Sequence, residues 1–271
     1  MGFHGVIGHE FVGIVESVNP SNDDDGDAVT EMWVGKRVCG DINVGCTTCH
    51  VCRNVNDRDG CGCPNLSRNH CPNRTVLGIL NHNGTMAEYL TLPLSNLHVV
   101  PDDMSDEVAV FSEPLAAACR IVEQGLVNFK STPADRVAIL GDGKLGLMIA
   151  EVLGREHASQ FSPSVQDDND TGTGEVPPPK PVLFGKHSHK MDLVAVSGVD
   201  CRHVSECQDE KAFNGVSVDH ASKYDVVVEA TGSPAGLALA SGMCRPMGTL
   251  VRDVCCVVLG RPSFPGPFMA V

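Results

Sequence analysis

The sequence predicts an α/β fold, a doubly wound parallel sheet accompanied by a smaller β lobe, on three observations. Val137–Leu140 is a short apolar run that stops at Gly141-Asp142-Gly143-Lys144-Leu145-Gly146 and restarts at Leu147–Leu153 with apolar residues at helical spacing. That is the strand, tight turn and helix of a dinucleotide fingerprint. Further β-branched runs follow at Pro181–His187, Tyr224–Gly232 and Gly248–Val251, which implies strands alternating with helices. The first hundred residues instead carry short β-branched pieces punctuated by glycine, as in the bent strands of a small barrel.

Within the fingerprint each glycine has its own reason. Gly141 makes the turn, Gly143 lets backbone N–H groups approach a pyrophosphate, and Gly146 lets the helix pack on the strand. The phosphates would sit at the N-terminus of the helix that opens near Lys144 and Leu145. An ordinary glycine-rich turn between strand and helix is the plain alternative.

Composition narrows the function classes. The chain has 271 residues, 42% of them hydrophobic, enough for one large or two ordinary domains with proper cores. A formal net charge of −14 argues against nucleic acid as a partner, because phosphate binding needs clustered Lys and Arg. No apolar run approaches the length that crosses a bilayer, and Met1-Gly2-Phe3-His4 opens without a charged leader, so the expectation is a soluble, cytoplasmic protein with no membrane partner. Of the 13 cysteines, six are crowded between Cys46 and Cys71, a clustering that suggests metal ligation before disulfides.

Taken in order, Gly5–Val18 reads as a bent strand with His9 and Glu10 in its middle. On composition alone such a pair is a packed core pair rather than a ligand set. Asn19–Asp27 is an acidic surface loop, and Val34–Val38 returns to strand. Cys46, Cys49 and Cys52 then stand at two-residue gaps, a knuckle that can wrap thiolates around a tetrahedral zinc. A fourth thiolate is required, and Cys61, Cys63 and Cys71 compete for it, with Asp57–Ser67 reading as inserted material. Gly84–Pro93 and Asn96–Pro101 read as two further strand-like pieces, and Phe111-Ser112-Glu113-Pro114 starts a helix with proline where its missing N–H is harmless. Glu113 there could simply complement the helix dipole. After the fingerprint helix the pattern fails from about Ala158 to Lys180, which reads as a flexible insertion. From Arg252 onward the order is lost.

These residues resemble the zinc-containing medium-chain alcohol dehydrogenase family. The matching pieces are Gly8–Gly13, Gly35–Val38, the Cys46/Cys49/Cys52 knuckle, His70-Cys71-Pro72, Ala87-Glu88-Tyr89, Glu113-Pro114-Leu115, the fingerprint, and Glu229-Ala230-Thr231-Gly232, all in the family's order. The resemblance implies a GroES-like barrel lobe over residues 1–118, N-terminally truncated and so incomplete. It implies a Rossmann NAD(P)-binding domain over 119–271, C-terminally truncated. His9 then matches the catalytic zinc histidine, Glu10 its neighbouring or alternate ligand, and Glu113 the acidic ligand or near-ligand of the polyol and threonine dehydrogenase branch. Cys46, Cys49, Cys52 and Cys71 match the structural zinc tetrad, Cys71 being preferred for its His-Cys-Pro setting. Ala230 and Thr231 join the nucleotide site.

The implied activity is hydride transfer between an alcohol or polyol CH–OH group and NAD(P), with zinc polarising the substrate oxygen. A domain preferring NAD usually ends its second strand with an acid, whereas Gly185-Lys186-His187 offers positive charge, which favours NADP. The family also implies homo-oligomers. Its pattern includes a cysteine ligand well upstream of Gly-His-Glu, while only eight residues precede His9 here and none is cysteine. A second reading therefore follows: a non-catalytic family member that keeps structural zinc and serves as a binding or regulatory partner.

Overall fold

A computed structural model describes residues 3–19, 26–53, 69–131, 133–161, 178–212 and 215–252. Cys61, Cys63 and the Asp57–Ser67 insertion, the centre of the acidic loop, the body of the insertion after the fingerprint helix, and the Cys255-Cys256 tail lie outside the described residues. The chain divides into two compact units, Met1–Ala116 and Ala117–Val271.

The second unit is a five-stranded parallel sheet of β7 (Val137–Leu140), β8 (Val182–Gly185), β9 (Asp200–His203), β10 (Tyr224–Glu229) and β11 (Cys244–Arg252), ordered β11-β10-β7-β8-β9. Counted from its first strand, the order is 3-2-1-4-5, with the direction of winding reversing beside β7. Register runs Val226 against Val137, Ala138 against Val182, and Val182 against Asp200. All four residues of β7 and all four of β8 are buried, because both faces of the sheet are covered. On one face Val137, Ile139, Leu183, Val226 and Val228 pack with Ile149, Ala150 and Leu153 of α5 (Lys144–Phe161) and with Ala118 and Ile121 of α4 (Ser112–Glu123). On the other face Ala138, Leu140, Phe184 and Val227 pack with Leu239, Ala240 and Met243 of α7 (Pro234–Met243).

The first unit holds two small three-stranded sheets. In one, β2 (Arg37–Gly40) lies between β1 (Gly13–Ile14) and β6 (Leu97–Val99), antiparallel to both. In the other, β3 (Asn43–Val44) pairs antiparallel with β4 (Thr75–Leu77), which pairs with β5 (Asn81–His82). Asn96, almost wholly buried, ties the sheets by donating from Nδ2 to the carbonyls of Asp41 (2.9 Å) and Asn43 (2.8 Å). The fold is thus mixed α/β: GroES-like, mainly antiparallel sheets, with β4 and β5 paired in parallel, and a Rossmann-like parallel sheet.

Four local expectations are corrected. Gly5–Val18 pairs as a strand only at Gly13–Ile14; Gly8 has φ +94, so the chain turns out of register there. The N–H groups of Gly84, Thr85 and Met86 instead bond singly to Val6, Gly8 and Ile7. Gly84–Pro93 forms no strand, being spent on those contacts. The acidic loop gives way at its end to a helix, α1 (Gly26–Trp33). The fingerprint helix does not stop at Ala158 but runs to Phe161, whose ring lies 5.2 Å from that of buried His157. Among the described residues no helix is long and apolar enough to cross a membrane.

Candidate metal and dinucleotide sites

The cysteine knuckle folds as a short helix, α2 (His50–Arg53), preceded by a turn in which Thr47 has φ 61. Cys46, Cys49, Cys52 and Cys71 bring their sulfurs within 4.8 Å of one another. Backbone N–H groups aim at those sulfurs: Cys46 to Cys71 at 3.5 Å, Cys49 to Cys46 at 3.4 Å and Cys52 to Cys49 at 3.4 Å. Such bonds orient thiolates and offset their charge. The Cys49 and Cys71 sulfurs stand 3.7 Å apart. Tetrahedral zinc with bonds near 2.3 Å requires about 3.8 Å between sulfurs, so the four residues fit the ion. The Thr48 hydroxyl, followed by the Thr48 and Cys49 N–H groups, pulls the Cys46 thiol down to about 5. Burial, then the neighbouring Cys71 and Cys49 thiols, pushes Cys52 up to about 12. The Cys46 and Cys52 thiols are thus driven in opposite directions, and a bound cation would favour the thiolate form of both.

A second donor cluster in the same unit joins His9, Glu10 and Glu113, again within 4.8 Å of one another. His9 Nε2 and Glu113 Oε2 are 3.9 Å apart. Bonds of about 2.0–2.1 Å to nitrogen and oxygen would want the donors about 3.4 Å apart, so a closure of roughly half an ångström would let His9 and Glu113 share an ion, with Glu10 as the third donor of the cluster. Glu113 lies in the first turn of α4, consistent with the dipole argument, yet its carboxylate also faces the histidine. His9 is placed by backbone crowding. A Cβ at Gly78 or at Gly84 would stand 2.0 Å from the Gly8 carbonyl oxygen, so only glycines let the three segments meet. Cys39 is not in this cluster; its sulfur points to the His98 carbonyl at 3.8 Å.

In the second unit the carboxyl ends of β7, β8 and β10 open into a cleft of about 330 Å³, at the switch point where such folds take ligands. Of the residues expected there, Gly141, Gly143, Gly185, Lys186, Ala230 and Thr231 line it. Lys144 and Leu145 open α5 behind the turn, and Gly146 is packed against it: a Cβ there would be 2.0 Å from the Gly141 carbonyl oxygen. A Cβ at Gly143 would meet nothing within 4 Å, leaving its backbone open to a ligand. The turn therefore fits a pyrophosphate.

His187 is drawn elsewhere. Its Nδ1 lies 2.9 Å from Asp142 Oδ2, which also accepts from the backbone N–H groups of Lys186 (2.8 Å) and His187 (2.7 Å). Burial opposes ionisation of Asp142, but the His187 and Lys186 N–H groups and then the imidazole outweigh it and hold the carboxyl below its ordinary value. Sequence reasoning missed Asp142, although it stands inside the fingerprint. It also missed Glu229, which is fully buried at the end of β10. Glu229 Oε1 accepts from Thr231 N (2.7 Å), Thr231 Oγ1 (2.5 Å) and Gly232 N (3.1 Å), while its Oε2 has no hydrogen-bond partner among the described residues. Thr231 Oγ1 passes the network to Ser233, whose hydroxyl accepts from Gly236 N and caps α7. Glu229 thereby sets the turn that forms one wall of the cleft.

Residues 2–102 match the family model described as the alcohol dehydrogenase GroES-like domain. The chain is 35% identical over 164 residues to the L-threonine 3-dehydrogenase of Xanthomonas euvesicatoria pv. vesicatoria, an alignment covering 60% of this chain and 41% of that protein. It is 28% identical over 230 residues to the L-threonine 3-dehydrogenase of Rhizobium etli, covering 84% and 53%. The chain thus spans about half the length of these curated relatives. Among solved structures it is similar to an alcohol dehydrogenase from Thermus sp. ATN1, with TM-score 0.62, 27% identity, and 97% of this chain and 65% of that one covered. It is likewise similar to a putative zinc-binding dehydrogenase from Sinorhizobium meliloti 1021 bound to NADP, with TM-score 0.61, 25% identity and coverage of 93% and 61%.

Proposed function

We propose that the chain, which is similar to zinc-containing medium-chain alcohol dehydrogenases, transfers a hydride between the CH–OH group of an alcohol or polyol and NAD(P). The observation that carries this reading is the glycine-lined cleft at the sheet's switch point, where Gly143 leaves its backbone bare and Gly146 seats α5 against the turn. When bound, zinc supplies Lewis acidity at the alcohol oxygen and nicotinamide supplies the hydride acceptor.

The chain's own residues do the positioning. Cys46, Cys49, Cys52 and Cys71 would hold a closed structural zinc, worth on the order of 10–16 kcal/mol in small peptides. His9, Glu10 and Glu113 would hold the catalytic ion with a position left for substrate. The Gly141–Gly143 turn and the N-terminus of α5 would take the pyrophosphate, with Ala230 and Thr231 beside it.

The test is reduction of NAD+ and NADP+ by the zinc-reconstituted chain against a panel of secondary alcohols and polyols. Turnover is expected in the wild type, and its loss is expected in His9→Ala with the cysteine-bound zinc still present. Absence of turnover with every alcohol, in a chain that retains one zinc, overturns the enzymatic reading in favour of a non-catalytic binding or regulatory partner.

A further inference from the structure

The second strand of the parallel sheet, β8, ends at Gly185 with no acidic side chain of its own, yet a carboxylate stands at its tip. It comes from Asp142, in the fingerprint turn between Gly141 and Gly143. Gly185 permits the approach, since a Cβ there would be 2.8 Å from Asp142 Cβ. Asp142, Gly185 and Lys186 all line the same end of the cleft.

Resting on the nucleotide reading above, we propose that Asp142 selects the adenine ribose, accepting a hydrogen bond from its 2′-hydroxyl and disfavouring a 2′-phosphate, so that this chain prefers NAD over NADP.

In doubly wound dinucleotide folds the ribose hydroxyls reach the tip of the second strand, where an acid reads a hydroxyl and cationic or N–H donors read a phosphate. At this tip the N–H groups of Lys186 and His187 and the His187 imidazole converge on one oxygen, Asp142 Oδ2. A 2′-phosphate would have to compete with the carboxylate for all three, and would stand beside a like charge in a partly buried setting. The Lys186 ammonium is the cation of the cleft lining left to favour it. His189, whose ring lies 5.9 Å from that of His187, and Lys190 flank the tip from the helix α6 (Ser188–Met191). A ribose hydroxyl needs only an acceptor, and a carboxylate carries a second oxygen that none of these three contacts uses. The charge pattern of Gly185-Lys186-His187 alone points to NADP; the contact from Asp142 reverses that balance.

The experiment is calorimetric titration of the full chain with NAD+ and with NADP+. The wild type is expected to bind NAD+ at least about tenfold more tightly, and Asp142→Asn, which removes the charge, to narrow that ratio about tenfold. The same ratio measured with ADP-ribose and its 2′-phosphorylated form needs no variant and stands if Asp142→Asn does not fold. Equal or tighter binding of NADP+ by the wild type, or an unchanged ratio in Asp142→Asn, overturns the inference while leaving the nucleotide site intact. Binding of neither nucleotide overturns the nucleotide site itself, and the inference with it.

Discussion

Replacing Gly146 by alanine separates packing from ligand binding in the fingerprint. The added Cβ would lie 2.0 Å from the Gly141 carbonyl oxygen and 2.9 Å from its carbon, against backbone that cannot rotate away. Relief requires α5 to retreat by about 1 Å from β7, and overpacking of this kind costs roughly 1–3 kcal/mol. Because the same helix N-terminus would face the phosphates, nucleotide affinity falls as well, by about tenfold for each 1.4 kcal/mol lost there. Gly143→Ala is the matched control. Its Cβ meets nothing within 4 Å, so no packing is lost and the change in stability should stay within about 1 kcal/mol while nucleotide binding weakens. Urea denaturation and nucleotide titration of the two variants give the assay. A Gly146→Ala protein as stable as wild type, or a Gly143→Ala protein that is destabilised with full affinity, would refute the division of labour between the two glycines.

Other outcomes follow from the same contacts. Cys71→Ser should release the structural zinc and loosen the first unit, read as zinc appearing in a chromogenic chelator at concentrations that leave the wild type loaded; retention of that zinc would exclude Cys71 as the fourth ligand. Asn96→Ala removes the donor to the partly buried Asp41 and Asn43 carbonyls and should cost about 1–2 kcal/mol by chemical denaturation, with values near zero contradicting its bridging role. For Asp225, burial opposes ionisation, but the Arg136 N–H and the Arg245 and Arg136 side chains outweigh it and lower its pKa. A depressed folded pKa gives stability that is full above the unfolded value near 3.9 and is lost as pH falls through the folded one, so thermal stability should decline more steeply below about pH 4 in wild type than in Asp225→Asn.

The parts of the fold that could be read from sequence are those with one dominant physical signal. β7 and β8 are buried on both faces and therefore appear as apolar runs, β10 keeps a buried Val226–Val228 centre between Asp225 and Glu229, and the fingerprint marks where the first of them ends. β9 (Asp-Cys-Arg-His) lies at the sheet edge with mostly exposed residues, so it carries no apolar signature at all. In the first unit the β-branched content of Gly5–Val18 is real, but glycine contacts around Gly8 hold that segment where strand pairing was expected.

The cysteine cluster was legible because ligand chemistry restricts residue type, whereas His9, Glu10 and Glu113 were picked out only by the family resemblance, composition alone having read His9 and Glu10 as a packed core pair. His9, Glu10 and Glu113 come together from positions more than a hundred residues apart, as do Cys46 and Cys71 from either side of inserted sequence. Asp142 was not legible. The rule that finds a ribose-binding acid inspects the end of the second strand, whereas this one arrives from the first turn, 44 residues upstream of Lys186. Glu229 was visible only as part of a motif; nothing in its spacing indicates that its carboxylate is buried and holds the turn at Thr231 and Gly232.

The measurement closest to the centre of the account is the zinc content of the purified chain by native mass spectrometry, before and after dialysis against a mild chelator. Two zinc ions per chain are expected at first, one in each donor cluster, with the ion among the four cysteines surviving dialysis and the one held by His9, Glu10 and Glu113 removed. A chain that folds with no zinc at all, or that loses the cysteine-bound ion first, would contradict it.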